Sequence, residues 1–288
     1  MSLTYQMESS HIADYGLWSV PGVDFPLRGP PVCLDGTAPA ISFLGAAQVF
    51  GAFVNHPFPA LVGEMLSARV INLGNGGAGP GLYVEKPGLT DLVNRSSVCV
   101  IQVMSARSSM QNRYMSALNG RASVRLTYPD GRSEECLGHH ALLKIAPEIS
   151  RRDFSALIAE TLENYLAQYR ILCDAINVPK VLLYVGRNPP VRDLDTDDWT
   201  LESVVGTHPH LITQRVYSEL QSLCDTTVEV TGKQGSDKRL LNRFTGDYTS
   251  IRRSETFSVS NHSAYISPHM HVRTALELYP VLEPYLTG

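Results

Sequence analysis

The sequence is short of the features that announce most common chemistries. Its five cysteines, Cys33, Cys99, Cys136, Cys173 and Cys224, are scattered, and no CxxC pair occurs. An odd, widely spaced set suits neither a disulfide framework nor a cysteine-based metal site, and it points to a reduced, cytoplasmic setting. No apolar run approaches the ~20 residues that a membrane helix needs. The opening stretch, MSLTYQMESSHIADYGLW, has no basic start and no apolar centre, so no signal peptide is expected. Charge of one sign is also missing. Charged residues make up 18% of the chain, and the formal net charge is -4. That balance offers nucleic acid or an anionic membrane no global attraction, and neither is expected as a partner. No HExxH occurs. The glycine-rich GNGGAGPG lacks G-x-G-x-x-G spacing, and Pro80 and Pro87 interrupt the helix that a dinucleotide site would need. No metal and no cofactor are expected.

What is present suits a globular α/β chain. The 288 residues are 43% hydrophobic, enough to bury a substantial core. Residues 1–39 form an irregular, Pro- and Gly-rich N-terminal extension with apolar anchors such as Trp18 and Phe25. Five apolar stretches then read as buried strands: 40–44, 69–73, 98–104, 180–186 and 226–232. Helical patterns separate them, the longest over 150–177, with Phe154, Leu157, Ile158, Leu162, Tyr165 and Leu166 recurring at helical spacing. Segment 120–137 alternates and pivots on Pro129-Asp130-Gly131, which predicts an inserted β-hairpin. Residues 233–263 read as a basic loop, and the last helix is expected to break or end near Pro280. Strands alternating with helices give one domain over 1–288, with a mainly parallel five-stranded sheet covered on both faces. Ligands then bind beyond the strand C-terminal ends.

The stretch after the first strand, Gly45-Ala46-Ala47-Gln48-Val49-Phe50-Gly51, keeps both glycines of a strand-to-helix elbow. It resembles the Gly-Asp-Ser-x-x-x-Gly block of the SGNH, or GDSL, hydrolases, with Ala47 at the position of the serine nucleophile and Ala46 at the aspartate. VINLGNGGAGPG is similar to the second block, matching Asn72 and Gly77 to the oxyanion-hole region. In place of the third block, Gly-x-Asn-Asp, stand Met104, Ala106 and Arg107. The last block, Asp-x-x-His, keeps His271 and has Pro268 at the aspartate. The resemblance spans roughly residues 40–288 and implies a flavodoxin-like three-layer α/β/α sandwich. The stretches FLGAAQVFG, PFPALV and SPHMH also resemble an uncharacterised, mainly alphaproteobacterial family known as a domain of unknown function.

An alanine methyl cannot attack a carbonyl, so the serine mechanism does not run through Ala47. What lies beyond the strand ends is a set of donors. Gln48, Asn72, Gly77, Arg107, Asn112, Arg113 and Arg187 follow the strands, and Arg offers a planar fork to carboxylate, phosphate or sulfate. The leading reading is a binding or processing site for a small polar or anionic ligand bearing a sugar, phosphate or sulfate. Gln48, Ala47, Asn72, Gly77, Arg107, Asn112, Arg113 and Arg187 are the candidate contacts, and His271 the candidate base. A second reading keeps a hydrolase or transferase with Ser105 as a displaced nucleophile, against the plain one in which Ser105 is a loop or capping serine. A third is a non-catalytic scaffold whose strand edge is filled by Met104 and Phe50. Whether the chain is an enzyme, and its oligomeric state, stay open. Lys238, Arg239, Arg243, Arg252 and Arg253 either close over an anion or line a solvated loop; with only Phe244 and Tyr248 among them, aromatic stacking for nucleic acid is sparse. His139-His140, His208-x-His210 and His269-x-His271 come in pairs, and in extended segments the HxH rings would share a side as metal ligands do, but no carboxylate at ligand spacing accompanies them.

Overall fold

Five buried strands carry the fold: β1 (Ala40–Leu44), β2 (Arg69–Asn72), β3 (Val98–Gln102), β4 (Lys180–Gly186) and β5 (Thr226–Thr231). The computed structural model describes residues 5–191, 200–252, 258–263 and 265–287. Side chains alternate between two cores, as the strand period of two requires. Ile41 and Phe43 of β1, Val98 and Val100 of β3, and Val181, Leu183 and Val185 of β4 fill one core. Leu44, Cys99, Ile101, Leu182 and Tyr184 fill the other. Both faces are apolar, which is why these strands read as continuous hydrophobic runs. Every pairing is parallel, in the order β2-β1-β3-β4-β5. That is the flavodoxin-like, doubly wound order, and its switch point lies between the C-terminal ends of β1 and β3.

Helices cover both faces. In chain order they are α1 (Ala47–Phe50), α2 (Phe58–Leu66), α3 (Pro80–Val84), α4 (Pro87–Val93), α5 (Gly138–Ile145), α6 (Arg151–Ala175), α7 (Gln214–Gln221) and α8 (Pro268–Leu282), with short helices at Tyr5–Glu8 and Leu201–Val205. Phe58 and Val62 of α2 and Met270 and Leu278 of α8 close the first core. Leu82, Leu89, Leu166 and Leu220, from α3, α4, α6 and α7, close the second. The result is a three-layer α/β/α sandwich. Among the described residues, no helix is long and apolar enough to cross a membrane.

The last helix, α8, ends at Leu282, near Pro280 as expected, with the proline in its last turn forfeiting only one intrahelical bond. The helix starts earlier than the apolar pattern suggests. Pro268 takes its first position, and Ser267 caps it by accepting the Met270 N–H at 3.2 Å. His269 and His271 are therefore helical rather than extended, and residues two apart on a helix do not share a face.

A three-stranded antiparallel sheet, Met115–Ala117, Ser123–Thr127 and Ser133–Leu137, stands beside the sandwich. Its hairpin turns at Pro129-Asp130-Gly131, where Gly131 takes φ 87°. Val124 and Leu126 pack with Ala141, Leu142 and Ile145 of α5. The third strand, Met115–Ala117, has too few residues to show a sequence alternation. On the far side a separate core joins the N-terminal extension to the basic segment. Ile12, Tyr15, Phe50, Phe53, Leu240, Ile251 and Val259 belong to it. The Phe53 N–H donates to the Tyr15 hydroxyl at 3.1 Å, and the Arg243 N–H to the Ile12 carbonyl at 2.7 Å. Arg239 lies over the Tyr248 ring at 4.1 Å, and Arg253 falls outside the described residues.

Candidate functional site

The elbow after β1 is built by close approach. A Cβ on Gly45 would lie 2.5 Å from both Gln102 Oε1 and Val49 Cγ2, so only glycine fits there. Gly51 ends α1 in the left-handed region at φ 76°. The Ala46 N–H can only donate, so Gln102 must turn its oxygen to it, at 2.9 Å. That choice fixes the rest of a relay. Gln102 Nε2 donates to Gln48 Oε1 at 3.2 Å, which turns Gln48 Nε2 onto the His208 ring, 3.1 Å from Nδ1 and 3.4 Å from Nε2. The backbone thus aims, through two amides, an N–H donor at His208.

Behind His208 stands a cluster of imidazoles around one guanidinium. Arg107 Nη1 donates to His139 Nδ1 at 3.0 Å. The His139 ring stacks on His210 at 5.5 Å between centroids, and His210 meets His208 edge-on at 6.0 Å. His210 Nδ1 is held by the Val205 and Gly206 carbonyls at 3.2 and 3.1 Å. Burial, then the charge of Arg107, pushes His139 down to about 3 and His210 down to about 4, and drives His208 down as well. All three rings are neutral at physiological pH, and Arg107 supplies the positive charge. Among the described residues, no three His, Cys, Asp or Glu side chains are placed to share a metal ion.

In front of His208 a cleft of ≈ 30 Å³ opens between the ends of β4 and β5 and the start of α8. Gln48, His262 and Ser267 are its deeply buried polar members, at 4%, 2% and 2% exposure. Arg187 and Lys233 are exposed on its rim. Among the described residues, no Asp or Glu lines it. Arg187 Nη1 is steadied by the Ser263 carbonyl at 3.0 Å, and the Ser267 hydroxyl donates to the Gln234 carbonyl at 2.6 Å.

Of the residues singled out from the sequence, Gln48 and Arg187 line this cleft. Arg107 lies behind it, in the imidazole cluster. Ala47 opens α1 beside Gln48 and presents a methyl. Asn72 is occupied by the backbone: its Nδ2 donates to Val49 O at 2.9 Å and its Oδ1 accepts the Gly74 N–H at 3.0 Å. Gly77, at φ 75°, faces the small sheet, where a Cβ would lie 3.3 Å from Ala122. Asn112 bonds Thr161 at 2.9 Å and caps its own turn through the Tyr114 and Met115 N–H groups. Arg113 is paired with Glu160 on the surface of α6. Ser105 is 2% exposed and its hydroxyl accepts the His210 N–H at 3.0 Å. His271 is 1% exposed, stacks on Phe58 and accepts the Phe58 N–H on Nδ1 at 3.1 Å. Its place is the core between α2 and α8, and it does not line the cleft. Met104 and Phe50 are fully buried.

Gln102 and His262 went unremarked in the sequence. Gln102 had a signal, a polar residue inside the apolar run VCVIQVM, because a buried amide needs partners. His262 had none, since tertiary folding alone brings its loop to the β4 end. Lys233, just past the end of β5, belongs to a segment that strand order already marks as a candidate.

Solved structures match this chain at low similarity. TesA is 12% identical with a TM-score of 0.41, covering 86% of this chain and 99% of its own. The salicylyl-acyltransferase SsfX3 from a tetracycline biosynthetic pathway is 9% identical with a TM-score of 0.37, covering 87% of this chain and 58% of its own. A structure assigned to the lipolytic G-D-S-L family, from Desulfitobacterium hafniense DCB-2, is 10% identical with a TM-score of 0.35, covering 84% and 99%. Similarity at this level carries none of their chemistry to this chain. Among curated proteins none matches it in sequence. The chain does belong to one family, whose model matches residues 1–286 and whose description is Domain of unknown function (DUF6473).

Proposed function

We propose that this protein binds a small polar anion, the phosphate, sulfate or similar end of a metabolite such as a sugar derivative, in the cleft at the strand C-terminal edge. The observation that carries this reading is the composition of one cleft. Arg187 and Lys233 stand on its rim, Gln48 and His208 lie within it, and among the described residues no carboxylate lines it to neutralise the two cations. Two cations without a resident anion attract one from solution. Neutral His208 carries one ring N–H, a further donor beside the cleft. A cleft of ≈ 30 Å³ suits the head of an oxyanion, roughly two to three times the space one water needs, so the rest of the ligand lies outside. The elbow offers the cleft the Gln48 amide and has the Ala47 methyl beside it, with no hydroxyl at that position, so binding here does not lead to acyl transfer onto a serine there.

Thermal denaturation with increasing inorganic phosphate or sulfate tests this. Binding to the folded chain raises Tm with ligand concentration. The Arg187→Ala/Lys233→Ala variant is expected to lose that rise, while its Tm without anion stays close to wild type because both side chains are exposed. An equal rise in wild type and variant would overturn the site.

A further inference from the structure

We infer that Gln102, which lies outside the cleft, is the positioning residue that makes the cleft selective for anions, by holding the Gln48 amide with its nitrogen on the cleft side. This deepens the anion-binding reading above and rests on it. A glutamine is ambiguous by itself, because a half-turn of the amide exchanges an acceptor oxygen for a donor nitrogen. A freely turning Gln48 would serve an anion and a cation alike. Here the ambiguity is removed from one end. The Ala46 N–H can only donate, and Gln102 Oε1 accepts it at 2.9 Å. Gln102 is fully buried, so no water offers its amide another partner. Its Nε2 must then donate, and Gln48 Oε1 accepts at 3.2 Å. Turning either amide over sets two N–H donors face to face in the interior.

The two ends of the Gln48 amide look different ways. One is bonded to Gln102, which lines no part of the cleft, and the other reaches His208, which does. The cleft end is therefore Nε2, which carries two hydrogens. Among the described residues, only the His208 ring stands within hydrogen-bond reach of that nitrogen. One hydrogen serves the ring and the second is left for a ligand oxygen. With Arg187 and Lys233 on the rim, an oxyanion meets donors on several sides. An ammonium or amide N–H in the same place meets donors too, and goes unpaired.

Calorimetric titration of the full chain with sodium sulfate, at several pH values from about 5 to about 8, tests this with two variants. In Gln102→Glu the new carboxyl still accepts the Ala46 N–H. Protonated, it donates to Gln48 Oε1 as the amide did. Ionised, it can only accept, so it draws Gln48 Nε2 inward and turns the oxygen to the cleft. The groups around it hold their charge over this range. His208 is kept neutral by burial and the Arg107 charge. Burial raises the Tyr83 hydroxyl, which accepts the Gly45 N–H, and the Tyr169 hydroxyl, which donates to the Gln102 carbonyl. Relative to the wild type at each pH, Gln102→Glu is expected to bind sulfate equally well in acid and roughly tenfold or more weakly once ionised. Gln102→Met, which bonds neither neighbour, is expected to bind roughly threefold or more weakly at every pH. Adding Gln48→Met is expected to remove most of either loss, because the amide that turns is gone. Rescue by Glu in acid of what Met loses supports the role. Wild-type affinity in Gln102→Met, or an equal loss with and without Gln48, overturns it and leaves the anion site standing. Failure of the wild type to bind sulfate overturns the anion site, and this inference with it.

Discussion

His271 shows how a buried imidazole is used when it is not used for chemistry. Its Nδ1 takes the Phe58 N–H, one of the orphan donors at the start of α2, where Pro57 as N-cap has no side chain able to accept it. Burial, with His262 and Arg28 nearby, pushes its pKa down to about 3, against 6.5 for an unperturbed ring. Below pH ~6.5 the unfolded chain therefore takes up a proton that the folded chain refuses. Stability is complete above that pH and declines as pH falls towards 3. Replacing His271 by Leu is expected to cost about 1–3 kcal/mol near neutral pH, because the Phe58 N–H is left buried without an acceptor. At about pH 5 the deficit narrows, since the variant is spared the cost of keeping a ring neutral. Urea denaturation at the two pH values checks both statements. A deficit that widens in acid would show that the ring is protonated in the folded state.

At the scale of elements, the β1 elbow decides how the site is wired. Gly45 lets Gln102 come up under the loop, take the Ala46 N–H and pass its own amide hydrogen to Gln48. Gly45→Ala sets a methyl 2.5 Å from Gln102 Oε1 and is expected to cost ~1–3 kcal/mol as the amide is forced aside. The relay then loses its fixed orientation, and anion-induced stabilisation should fall together with the denaturation midpoint. Unchanged anion stabilisation in a destabilised variant would separate the relay from the site. The five central strands were legible because burial on both faces writes them as continuous apolar runs, as in KVLLYVG over β4. The α6 helix was legible from its period and its Ser150 cap. The start of α8 was not, because Pro268 reads as a breaker unless it is known to sit at the first helical position. The cleft was half legible. Gln48, Arg187 and Lys233 follow strand ends, which topology places at the ligand edge. His208 and His262 reach the same edge through contacts between distant loops, which no local pattern encodes.

At the scale of the whole molecule, the N-terminal extension and the basic segment are bound to the sandwich through shared aromatic residues. Phe53, at φ 68° and 1% exposed, packs edge-on against Tyr265 at 4.8 Å and gives its N–H to Tyr15. Arg28 reinforces the join by donating to Val54 O and Asn55 O at 2.9 and 2.8 Å, with its guanidinium over Tyr15 at 4.6 Å. Burial holds its pKa down to about 10. Tyr265 and His262 lie in the same connection and both line the cleft, so the docking of these segments also places the anion site. Phe53→Ala is expected to cost about 3–5 kcal/mol through the cavity it leaves. Because one core serves both segments, amide exchange should rise together over residues 12–17 and 240–251. The amides of β1, paired on both sides within the central sheet, should open only with the whole chain. Faster exchange in one segment alone would mean that the two dock independently and that His262 is positioned without the N-terminal extension.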